Sequence, residues 1–137
     1  MSDESVPDIP GKDEVISWFG RWPSFHDAEV LELHLNRSGT SRLRVYAWNM
    51  TDRTFEKDHK QYSVLEKHAV VTFEIDDIID LKLTEFSSQN VLSGIQLTID
   101  NGVYHLDLGP CYGLHGQITA SQVRVSIQPG ELQAAFD

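Results

Sequence analysis

Ser24-Phe25-His26-Asp27-Ala28-Glu29 sets a serine, a histidine and two carboxylates within six residues, directly after Trp22-Pro23. A serine, a histidine and an acid are the parts of an acyl-transfer nucleophile. A His-Asp pair also occurs among metal hydrolases, where it needs further ligands. Here those would be His34, His105, His115 or Asp107. Zinc sites pair His or Cys at short spacing, and the chain has no HxxxH, HxH or CxxC. The nucleophile elbow GxSxG is absent as well. Cys111, in "GPCYG", has His105 and His115 near it in sequence, but a lone cysteine is ordinarily buried, inert packing. No Walker loop or GxGxxG occurs; the glycines at 109, 113 and 116 stand between strands and cannot open a phosphate-binding helix.

The other reading of "SFHDAE" is a clamp. Ser24 or Asp27 would accept backbone N–H bonds and fix a turn into the first strand. Asp27 would then be partly buried, and His26 would bridge two backbone groups. Trp22 and Phe25 would plug one end of the core, with Pro23 stiffening the link.

One helix and about seven strands must position these groups. "KDEVISWFGRW" spaces Val15, Ile16, Trp18, Phe19 and Trp22 as a short helix would, with acids early and Gly20 late. After it the pattern alternates with period two. "AEVLELHLNR" and "SRLRVYAWNM" form a hairpin across Ser38-Gly39. "TDRTFEKDHKQ" is too charged for a core and reads as a long loop. "KHAVVTFEI" puts Ala69, Val71, Phe73 and Ile75 on one face, and "DIIDLKLTEF" does so with Ile79, Leu81 and Leu83. Asn101-Gly102 predicts a tight type I′ hairpin. "QITASQVRVSI" is the last strand, ended by Pro129-Gly130. The class is α+β with a mostly antiparallel sheet, as a sandwich in preference to a partly open barrel. Residues 1–11 read as a flexible arm, 12–130 as one domain and 131–137 as a tail.

The net charge is −10, from 21 acids against 11 bases, and residues 74–137 hold nine acids and two bases. Phosphate-backbone binders need the opposite sign, so nucleic acid is not an expected partner. The balance suits solubility, cations or a basic protein. Glu74, Asp76, Asp77, Asp80 and Glu85 fall within twelve residues, with Asp76-Asp77 expected at a turn between two strands. They are the first candidates for a partner contact. Tyr46, Trp48 and the stretch Thr51–Gln61 are the second. A single cysteine, no apolar run of about 20 residues and an acidic N-terminus without an apolar core make the cytoplasm the expected compartment.

"WPSFHDAEV" entering a leucine-alternating strand resembles the immunity protein 50 family of bacterial polymorphic-toxin systems. "KHAVVTFEIDDIIDLKL", "NVLSGIQL" and "YGLHGQITASQVRVSI" follow in the order such a chain would have, so the resemblance runs from about Trp18 to Ile127. It implies a small protein that binds and neutralises a cognate toxin without catalysis. It carries over no catalytic residue, metal or cofactor. Trp22, Ser24, Phe25, His26, Asp27 and Glu29 would be its signature, as clamp or contact. The expected partner is a basic protein toxin, and a homodimer is left open. The alternative is a small-ligand binder or hydrolase using a pocket around His26 and Asp27.

Overall fold

A computed structural model describes residues 6–131, the side chains of Met50, Asp52 and Ser63 excepted. The order is α1 (Lys12–Phe19), β1 (Glu29–His34), β2 (Ser41–Lys57), β3 (Lys60–Thr84), β4 (Val91–Asp100), β5 (Val103–Tyr112) and β6 (His115–Pro129). The six strands close a barrel in the order β1-β2-β3-β6-β5-β4, every pair antiparallel. The antiparallel α+β class is as expected. The preferred sandwich is not what forms.

Alternation fills the barrel. Leu43, Val45 and Ala47 on β2 point inward, as do Ala69, Val71, Phe73 and Ile75 on β3. Leu106 and Leu108 on β5 are buried too, as are Ile118, Ala120, Val123 and Val125 on β6. Each large side chain withdrawn from water this way contributes about 1.5–3 kcal/mol. Helix α1 buries Val15 and Phe19, one turn apart, against the barrel and ends at Gly20, whose left-handed φ of 86° lets its N–H reach Ile16 O at 2.7 Å.

Three expectations need correction. The predicted turn at Asp76-Asp77 is the middle of a single 25-residue strand, β3. Its register shifts between Ile78 and Asp80. Asp77 has a φ of +55°. An irregularity of this kind bends a long strand around a barrel, and in sequence its acidic pair looks like a turn. The predicted loop at "TDRTFEKDHKQ" is the far end of β2 and the start of β3. These pair as a two-stranded arm out to Lys57↔Lys60, turning at Asp58 (φ 53°) and His59 (φ 65°). The arm at 1–11 is tied down from Val6 onward. Ile9 is buried, and Pro10 O accepts Val125 N at 2.9 Å. Gly11 lies so close to β6 that a Cβ would stand 1.6 Å from Val125 O. Residues 1–5 of the expected arm and 132–137 of the expected tail lie outside the described residues.

Candidate functional site

The barrel closes along a short seam. β1 and β4 pair as strands only at Glu29↔Val91. The linker before β1 supplies the rest with its backbone. Ile95 N donates to Ser24 O at 3.3 Å, Asp27 N to Leu92 O at 2.9 Å and Leu92 N to Ala28 O at 2.9 Å. Val30 N then donates to Asn90 O at 2.9 Å. To keep these bonds while turning, Phe25 and Asp27 adopt positive φ of 62° and 63°. That conformation costs an ordinary L-residue roughly 1–2 kcal/mol. Phe25 compensates by placing a fully buried ring edge-on to Trp22 (5.9 Å between centroids) and Phe73 (5.7 Å). Phe25 is part of the buried core, and Trp22 packs against it.

The polar groups of "SFHDAE" face outward. Ser24 Oγ accepts the backbone N–H of His26 at 3.3 Å. His26 Nδ1 lies 3.3 Å from Ser93 O, a carbonyl that accepts when the ring carries its proton on Nδ1. Nε2 lies 3.5 Å from Asp27 Oδ2, an ion pair when the ring is protonated. The His26 side chain is 63% exposed and that of Asp27 43%. His26 therefore touches one backbone group and a carboxylate, not two backbone groups. Contrary to expectation, no described backbone N–H donates to the Asp27 carboxylate; the seam bond is donated by Asp27's own N–H to Leu92 O. Glu29 is half-buried at the seam, opposite Tyr46 and Val91.

Beside the seam lies a cleft of about 810 Å³. Arg21, Trp22 and His26 line it from the linker, Trp48 from the root of the arm, and Gln96 and Asp107 from β4 and β5. Asp107 Oδ1 accepts from Gln117 Nε2 at 2.8 Å. His105 is elsewhere, with Nδ1 3.2 Å from Thr119 Oγ1. Among the described residues no three His, Cys, Asp or Glu gather as a metal-binding group. Cys111 is exposed, not buried, and the ring contacts of His105 and His115 are to Thr119 and to Gly113 O.

The acidic run is not a free patch. Arg124, opposite on β6, donates Nε to Glu74 at 3.1 Å and Nη1 to Asp76. The Thr40 hydroxyl donates to Asp76 at 2.7 Å. That bond first, and Arg124 second, hold the Asp76 carboxyl below its ordinary pKa. Ser121 meets Asp77 at 3.2 Å, Lys82 lies 3.8 Å from Asp80, and Glu85 is exposed. Glu74 to Asp80 lie on β3 and Glu85 follows it, and none of them lines the cleft. Tyr46 and Trp48 do come together: Tyr46 OH meets His68 Nδ1 at 2.8 Å, and Trp48 packs on both rings.

Sequence reasoning missed Arg21 and Gln96 at the cleft, and it missed Asn90. Asn90 is 4% exposed, and its Oδ1 accepts the N–H groups of Ser87 (3.0 Å) and Leu114 (2.8 Å). Its Nδ2 donates to Ser87 O at 2.9 Å. The one available signal was its place after "FSSQ", at the head of a strand.

Compared with family models, curated proteins and solved structures, the chain matches none.

Proposed function

We propose that this chain is a non-catalytic protein that binds and neutralises a cognate protein toxin, and that the partner seats at the cleft beside the seam. The supporting observation is the cleft itself, walled by Trp22 and Trp48, with Arg21, His26, Gln96 and Asp107 as polar groups. Indole walls with a few polar groups suit protein contacts, where Trp and Arg are common anchors. The toxin enters the reading through the resemblance of "WPSFHDAEV" to an immunity family.

Charge supports a basic partner. Across 49–67 four bases (Arg53, Lys57, Lys60, Lys67) balance four acids (Asp52, Glu56, Asp58, Glu66). The net charge of −10 therefore belongs to the rest of the chain. Such a field speeds the approach of a basic protein and is screened beyond about 8 Å at physiological salt.

The test is capture and inhibition of the protein encoded beside this gene. Trp48→Ala should speed dissociation. Charge reversal at Asp77, Asp80 and Glu85 together should slow association and leave dissociation unchanged. Glu74 and Asp76 are spared because Arg124 depends on them. Wild-type kinetics in Trp48→Ala would move the contact away from the cleft.

A second reading, a small-molecule site, draws on the cleft's volume, which lies in the range of ligand pockets. Native mass spectrometry of the purified protein would reveal it as a stoichiometric small adduct.

A further inference from the structure

We propose that the cleft contains a free sheet edge and that the partner enters it as an added β-strand. The proposal rests on the partner-binding reading and names how that partner is held. Beyond the seam, no described strand pairs with the outer edge of β4, where Leu97 is 4% exposed and Ile99 48%. The hairpin at Asn101-Gly102 pairs Asp100 with Val103. In antiparallel pairing the bonded positions alternate, so Thr98 and Gln96 also face β5, while Ile95, Leu97 and Ile99 turn their N–H and C=O the other way. Ile95 N follows this parity by donating to Ser24 O. No backbone partner stands opposite Leu97 or Ile99 among the described residues. Ile95 and Leu97 line the cleft.

The opposite bank is a second edge. β1 leaves β2 at Glu29↔Tyr46, so from Trp48 onward the outer side of β2 has no strand beside it. The notch thus lies between two edges and is closed at its inner end by the seam.

The two banks differ in how they are guarded. Edge strands that must stay single carry bulges, lysines or proline. The arm has register shifts at Ala47/Asn49 and Met50/Thr54, and it carries Lys57, Lys60 and Lys67. The β4 edge "IQLTID" has no proline, no lysine and no register shift after Gly94. A sequence rich in β-forming residues and left unguarded is suited to pairing. Main-chain bonds supply affinity in strand addition, and alternate side chains supply specificity. Leu97–Ile99 would pair with about 10 Å of strand. Arg21, at the cleft wall, is exposed and makes no ion pair with a described residue. It selects a segment with an acidic residue at that end. The occupant is therefore an extended segment of the partner, alternating apolar and polar side chains, with one carboxylate for Arg21.

The probe is a short synthetic peptide of alternating valine and threonine closed by glutamate. Two twins accompany it: one N-methylated on its pairing side, one ending in lysine. The whole chain, isotopically labelled, is titrated with each. The peptide should shift the Leu97 and Ile99 amide signals and slow their hydrogen exchange. Methylation should weaken binding about tenfold or more, the loss expected for unmade backbone bonds. The glutamate form should outbind the lysine form, and Arg21→Glu should reverse that order. Ile99→Pro removes an edge donor that β5 does not use, and it should weaken the peptide as methylation does. Unprotected Leu97 and Ile99 amides, or equal binding of the methylated twin, overturn the proposal. The probe contains no toxin. A chain that captures toxin but leaves these amides unprotected overturns strand addition alone. Protected amides in a chain that captures no toxin keep the strand site and overturn the toxin reading.

Discussion

The two halves of β4 use their backbones in opposite ways. From Asn90 to Ile95 the outward groups are bonded to the linker and to β1, at the cost of two left-handed residues. From Leu97 to Ile99 they meet nothing described. One strand thus carries both the closure of the barrel and an opening in it. The segment Ser24–Glu29 belongs to the closed half. Asp27 stands where it does because its backbone is needed there, and the side chain of His26 beside it lines the cleft as a consequence. A run of chemistry-bearing residue types can thus be set by main-chain bonding, with its polar side chains facing outward.

The closed half should break most severely at its aromatic plug. Phe25→Ala removes a ring that touches Trp22 and Phe73 and keeps the strained φ. The expected loss is about 3–5 kcal/mol, read as a lower urea midpoint. Phe25→Leu should recover part of it. Asn90→Ala comes next. It strips partners from the N–H groups of Ser87 and Leu114, the latter inside the core. Leaving such donors unmet costs about 2–3 kcal/mol in total. A midpoint within error of wild type would mean water reaches both groups.

Asp27 sharpens the point at a smaller scale. Its carboxylate meets only the exposed His26 ring among described contacts, while its φ is +63°. Asp27→Ala should therefore cost about 1 kcal/mol, through the poorer tolerance of alanine for that φ. Asp27→Gly should restore wild-type stability, because glycine adopts positive φ freely. If both variants melt alike, the carboxylate and not the backbone is what matters here.

The parts of the fold legible in sequence are those with local signals. Asn101-Gly102 turns with positive φ at both residues. Ala69, Val71, Phe73 and Ile75 share a buried face, and α1 ends at its glycine. Closure was not legible, because Ser24 meets Ile95 and Asp27 meets Leu92 through main-chain atoms that no side-chain pattern encodes. The acidic run looked unneutralised because Arg124 lies 48 residues beyond Asp76. The arm looked like a loop because neither of its faces is buried, so period-two alternation has nothing to separate. At the site, "SFHDAE" was found from residue types alone, but the cleft beside it is formed by strand ends distant in sequence.

The arm gives the smallest expected effect and tests the other side of the comparison. Past Ala47 and Ala69 it is two strands with no third beside it, and Phe55 stacks on Tyr62 at 5.6 Å while both stay exposed. An exposed cross-strand aromatic pair is worth about 0.2–1 kcal/mol to the strands it joins. A two-stranded ribbon is itself only marginally stable, so that energy stays local. Phe55→Ala with Tyr62→Ala should leave the global urea midpoint unchanged within about 0.5 kcal/mol. Hydrogen exchange should quicken in Thr54–Tyr62 and nowhere in the barrel. Faster exchange spreading to Val45 or Val71 would mean that arm and barrel unfold as one unit, and the open pole would then be as rigid as the seam.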